Sequence, residues 1–173
     1  MVQRLLNEDP QAAYEHARYA ASHAGRVAVV RETAGIAAYL AGHYSEALRE
    51  IRAARRLSGF DLHRAIEVDC ERALGHLDKA LQAAQAADPR QLDEIERAEL
   101  AMVVSSLRHD MGQTDLGLII IEDAIRARPS DSETLRRLHS VRADRLEELG
   151  RHQEAEAIRD RIGPEPVEED EVE

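Results

Sequence analysis

The stretch LAGHYSEALREIRAAR, residues 40–55, returns in outline 33 residues later. Gly42 falls on Gly75, His43 on His76, Tyr44 on Leu77, Ala47 on Ala80, Leu48 on Leu81 and Ala54 on Ala87. Two further glycines, Gly112 and Gly150, follow at spacings of 37 and 38, and each of the four is followed five residues later by a small residue: Ala47, Ala80, Gly117 and Ala155. Upstream, Pro10, Ala13, Ala17 and Ala20 precede Tyr44, Ala47, Ile51 and Ala54 by 34, so an incomplete copy opens the chain. A period in the thirties means one helical hairpin repeated, each copy burying its apolar face on the next.

Breakers divide the repeats: Asp9-Pro10, Gly25, Ser58-Gly59, Asp88-Pro89, Pro129 and Gly163-Pro164. With the apolar spacing they predict helices over about 1–7, 10–23, 27–41, 44–57, 61–74, 77–87, 92–111, 114–127, 132–149 and 152–162. Asp131 or Ser130 is the expected N-cap of the helix at 132. A glycine just past a helix accepts the left-handed conformation that closes it. A small residue where two antiparallel helices cross lets them approach closely. On this reading Gly42 ends one helix, Tyr44 fills the space beside the turn, and Ala47 is the crossing point, with Ile51 and Ala54 continuing its face.

The composition agrees. A third of the residues are charged and only 3% are aromatic, which suits helices and not strands. Net charge is −11, with six acidic side chains among residues 165–173. A nucleic-acid binder needs a basic face to displace counterions, so none is expected as a partner. One cysteine, Cys70, permits no internal disulfide. The apolar runs are far too short for a membrane span and no secretion signal stands at the start, so a cytoplasmic address is expected.

The small residue, turn glycine, aromatic and alanines recur in the order Gly35, Gly42, Tyr44, Ala47, Ala54. This resembles the tetratricopeptide repeat, a 34-residue helical hairpin. Ser105, Gly112, Ala124 and Pro129 carry the likeness in a later copy, with Gly117 in place of alanine. Gly75, Ala80 and Ala87, then Ala143, Gly150 and Ala155, carry it in two others. The tryptophan favoured near the start of the unit is absent: Arg31, Arg64, Ala101 and His139 stand there. The resemblance implies an all-α, right-handed solenoid of four to five antiparallel helix pairs over residues 1–162. It also implies a concave groove, lined by the first helix of each pair, that takes a protein or peptide. Carried over, the groove positions include Glu32, Ile36, Tyr39 and Leu40, then Asp69 and Arg72, then Met102, Ser106 and His109, then Arg137 and Asp144. Glu32 and Ile36 stand where a clamp for a C-terminal carboxylate needs lysine and asparagine, so that ligand is not expected.

No catalytic or metal-binding pattern emerges. The eight histidines include no HExxH or His-x-x-x-His spacing, and three of them, His43, His76 and His152, sit at turns as helix-end residues. His109 and Asp110 are sequence neighbours and point about 100° apart on a helix, so they do not orient one another. Cys70 reads as a buried small residue. No enzymatic activity, cofactor or metal is expected. The expected function is a non-catalytic interaction module; the alternative is a structural or oligomerisation domain, such as a fragment of a larger protein would supply. Three further features bear on partners. Arg49, Arg52, Arg55 and Arg56 make a basic stripe, read as a solvated face or a dock for an acidic segment. Residues 163–173, GPEPVEEDEVE, lack the apolar content to fold alone. Val2, Leu5 and Leu6 on a short first helix suggest weak self-association into a homodimer.

Overall fold

The glycine clasps recur as the sequence predicts. In the computed structural model, which describes residues 2–24 and 26–164, Gly42, Gly75, Gly112 and Gly150 all have left-handed φ between 75 and 80°. Each closes its helix with the same pair of bonds. The Gly42 N–H donates to the Tyr39 carbonyl at 3.0 Å and the His43 N–H to that of Ala38 at 2.8 Å. Gly75 and His76, Gly112 and Gln113, and Gly150 and Arg151 repeat this with Arg72 and Glu71, His109 and Arg108, and Glu147 and Leu146. The double bond satisfies carbonyls that would otherwise be orphaned at the helix end and turns the chain back within two residues.

Ten helices result, and no strand occurs among the described residues: α1 (Val2–Glu8), α2 (Pro10–His23), α3 (Ala28–Leu40), α4 (Tyr44–Ser58), α5 (Arg64–Ala73), α6 (Leu77–Ala86), α7 (Glu94–Asp110), α8 (Thr114–Arg126), α9 (Ser132–Glu148) and α10 (His152–Ile162). Two starts differ from expectation. α5 begins at Arg64 and not at 61, because the Asp61 carboxylate is occupied as a tether: it accepts from Arg64 Nε at 2.5 Å and from the Asp88 N–H at 3.0 Å. α7 begins at Glu94 because Asp93 and Glu96 form a reciprocal capping box. Between the two candidate caps of α9, Asp131 takes the role, accepting from the Thr134 N–H at 2.7 Å, while the Ser130 hydroxyl donates to Glu94.

Each helix packs on the next in sequence. The odd-numbered helices also approach the next odd-numbered helix closely backbone to backbone, whereas the even-numbered ones meet only through side chains, as Tyr14 of α2 does with Glu46 of α4. The odd helices therefore form one continuous layer. Small or buried residues twelve apart recur in each pair: Gly35 and Ala47, Val68 and Ala80, Ser105 and Gly117, Ala143 and Ala155; Gly117 lies directly against Ser105, and Gly35 against Ile51. All eight are buried, and Ala47, Ala80 and Ala155 are fully inaccessible. The core is a chain of four apolar clusters. The first joins α2 to α5 around Ala13, Tyr14, Ala37 and Leu48, and the next joins α5, α6 and α7 through Val68, Ala80 and Leu107. The third joins α7, α8 and α9 through Met102, Ile121 and Leu138, and the last gathers Leu118, Leu146, Ala155 and Ile158. Val2, Leu5 and Leu6 are half-buried against the first cluster, so α1 directs its apolar side chains into its own chain.

The arginine stripe of α4 divides: Arg49 and Arg56 are exposed, as a solvated face would have them, while Arg52 and Arg55 are engaged across the next hairpin. Arg52 binds Glu67 at 3.0 Å and Glu71 at 2.8 Å, and Arg55 reaches Glu67 at 2.6 Å and Asp61 at 3.6 Å, all on the next hairpin. Arg49 pairs with Glu46. Burial alone would push Glu67 and Glu71 up; Arg55 and Arg52 on Glu67, and Arg52 and His76 on Glu71, outweigh it and hold both below the ordinary range. The acidic segment at residues 165–173 lies outside the described residues.

Candidate functional site

α7 presents Ile95, Glu99, Met102, Val103 and Ser106 along one face, at the helical spacings that align side chains. Its neighbours in the odd-numbered layer stand on either side, α5 and α3 on one and α9 on the other. Two cavities open over this face. The first, about 300 Å³, is bounded by Tyr39, His63, Ile66, Leu92, Ile95 and Val103, with Arg64, Ala65, Glu96 and Glu99 completing it. The second, about 290 Å³, is bounded by Tyr39, Asp69, Met102, Ser106, Arg137 and Val141, with Glu99, Val103, Arg136 and Ser140. Tyr39, Glu99 and Val103 belong to both, so the two form one trough across α3, α5, α7 and α9.

Polar clips hold each pair of trough helices together. The Tyr39 hydroxyl donates to Asp69 at 2.6 Å, joining α3 to α5. Burial and that carboxylate push the Tyr39 phenol well above its ordinary value, so it remains the donor. Arg72 donates to Asp69 at 3.0 Å and to Asp110 at 2.9 Å, joining α5 to α7. Burial opposes the Arg72 charge, but Asp110 and Asp69 raise its pKa overall. Arg137 grips both oxygens of Glu99, the second at 3.1 Å, and His109 lies 3.1 Å from Glu148; both join α7 to α9. At the mouth of the first cavity His63 has a left-handed φ of 53°, uncommon for a side chain with a Cβ, and its Nε2 sits 2.6 Å from Glu32.

Of the residues expected in a groove, Tyr39, Asp69, Met102, Ser106 and Arg137 line the trough together. Glu32 touches its mouth through His63, and Arg72 and His109 act behind the lining as clips. Ile36 is half-buried and Leu40 exposed, and neither borders the cavities. Asp144 is drawn away by Arg159 of α10 at 3.1 Å. The apolar half of the trough, Ile66, Leu92, Ile95 and Val103, was missed. Ile95, Met102 and Val103 with Glu99 do repeat at helical spacing, but Leu92 enters from the connection before α7, whose course the sequence did not reveal.

Cys70 is fully buried, and burial pushes its thiol up to about 12, so it is protonated at neutral pH. Among the described residues no three His, Cys, Asp or Glu side chains gather as metal ligands, and no helix is long and apolar enough to cross a membrane. No protein-family profile matches this chain, and no curated protein matches it in sequence.

Proposed function

We propose that the chain is a right-handed solenoid of tetratricopeptide-like repeats that acts as a non-catalytic peptide-binding module. The observation that carries this is the trough itself, continuous over four odd-numbered helices and apolar at one end, polar at the other. The occupant is an extended peptide. One apolar side chain enters between Ile66, Leu92, Ile95 and Val103, and polar groups further along face Arg137, Ser106 and Asp69. Ile95 is 48% exposed without a ligand, so its burial contributes to binding at roughly 25 cal/mol per Å². The Arg72 and Arg137 ion pairs neutralise Asp69 and Glu99 before any ligand arrives, so recognition rests on shape and apolar burial. The four matching glycine clasps support the repeat reading. The even-numbered side supports an alternative structural role, since Leu116 and Ile119 of α8 stand exposed three residues apart.

A peptide-display library selected against the folded chain tests the proposal. Selected peptides should carry a recurrent aliphatic or aromatic residue, should shift the amide signals of residues 66, 95 and 103, and should lose affinity at least tenfold against Ile95→Glu. Peptides that perturb only α8, or none selected, would overturn it; concentration-dependent sedimentation abolished by Ile119→Glu would favour the structural role.

A further inference from the structure

A cavity of about 530 Å³ lies away from the trough and shares no residue with it. It sits among α2, α3 and α4. Ala21, Ala34 and Ala38 form an apolar floor, and around them stand Arg18, Arg26, Arg31 and Arg49. Two carboxylates enter the same space, Glu46 and Glu50. Four arginines against two glutamates leave a formal surplus of two positive charges, in a chain whose net charge is −11.

The internal pairs show what chemistry the cavity favours. Arg31 Nη1 donates to both oxygens of Glu50, at 3.0 and 2.7 Å. Arg49 lies 3.3 Å from Glu46, which also accepts the Tyr14 hydroxyl. Arg18 and Arg26 form no ion pair among the described residues, and both are exposed at the cavity's edge. Guanidinium groups bind planar carboxylates through paired N–H donors, and two such groups beside a floor of small apolar side chains form a receptor for that geometry. The volume is in the range of sites that hold a ligand of many atoms and so has room for two acidic side chains and the backbone between them.

We infer that the α2–α3–α4 cavity binds a glutamate- or aspartate-rich peptide segment, with Arg18 and Arg26 taking its carboxylates. Arg31 and Arg49 stay with Glu50 and Glu46 and supply the positive background. Such a segment would use no residue that lines the trough, so both sites can be filled at once. The inference stands independently of the trough.

The probe is a fluorescein-labelled PEPVEEDEVE, the sequence of residues 164–173, titrated into the full-length chain by anisotropy at low and physiological salt. Saturable binding is expected, weakened at the higher salt and absent for the probe with every Glu and Asp replaced by Gln and Asn. The variant Arg18→Gln/Arg26→Gln should bind about fivefold to tenfold more weakly, both residues being exposed and their loss leaving the fold intact. Ile95→Glu should bind the probe unchanged. No saturable binding, or equal affinity in the double arginine variant, would overturn the inference. So would complete displacement by equimolar inorganic phosphate, which would make the cavity a small-anion site.

Discussion

Gly117→Ala sets the repeat pattern against the packing. Three copies place alanine at this crossing, and alanine in a helix interior is favoured over glycine by about 1 kcal/mol, so pattern alone expects a stabilised protein. The geometry says otherwise. A Cβ on Gly117 would stand 2.7 Å from the Ser105 carbonyl oxygen, 3.3 Å from its hydroxyl and 3.4 Å from Arg145 Cδ. The first is a backbone atom of α7 and cannot rotate aside, so α7 and α8 must separate by a good fraction of an ångström. Overpacking of this kind costs about 1–3 kcal/mol. The separation also stretches the buried bond from the Ser105 hydroxyl to the Gly117 carbonyl, now 2.9 Å, a contribution of about 1 kcal/mol. Set against the helix-propensity gain, the net loss is about 2 kcal/mol, or a fall in Tm of about 4–8 °C. Thermal denaturation followed by circular dichroism, with urea midpoints as a second measure, decides it. An unchanged or raised Tm would refute the reasoning and mean that α7 and α8 have room at the crossing. Gly35→Ala is a companion with a loss of the same sign, since there a Cβ would stand 2.7 Å from the buried Ile51 side chain and 3.1 Å from its backbone nitrogen.

Three other outcomes can be measured. Ala47→Leu, at a fully buried crossing, should cost about 1–3 kcal/mol in urea denaturation, and a neutral result would place that residue off the contact. Gly75→Ala should lose about 1 kcal/mol by forcing a Cβ into left-handed backbone at φ 78°, with Gly75→Asn losing less; equal stability of all three would mean the clasp tolerates another geometry. Glu67 and Glu71 have folded pKa values below their unfolded ones, so the stability they add is full at neutral pH and is lost as pH falls through the acid range. Arg52→Gln should therefore move the acid-unfolding midpoint to higher pH, and an unmoved midpoint would show that Arg52 does not hold these carboxylates.

The repeat, its turns and its crossings were legible because they depend on local backbone rules. A left-handed turn wants glycine, and a close crossing wants a small side chain, wherever either stands in the fold. The α4 arginines were not legible in the same way. Arg52 looked like part of a solvated stripe until α5 brought Glu67 and Glu71 beside it, since a charge's partner depends on how two helices are placed. The trough was legible at Tyr39, Asp69, Met102, Ser106 and Arg137, which lie at helical positions on the odd-numbered layer. It was not at Leu92, which arrives from an irregular connection. The cavity of Arg18, Arg26, Arg31 and Arg49 draws on three helices and a loop, and no single segment announces it.

The division of the core into four linked clusters bears on how the protein comes apart. No cluster reaches from one end of the chain to the other, so loss of the α9–α10 cluster leaves Ala13, Tyr14 and Leu48 packed as before. Amide protons should then exchange on a gradient, the end helices opening to solvent well before α5 and α7, with each glycine clasp as a stop where fraying pauses. A pulling force or a protease would meet a row of separate latches, each released at its own threshold.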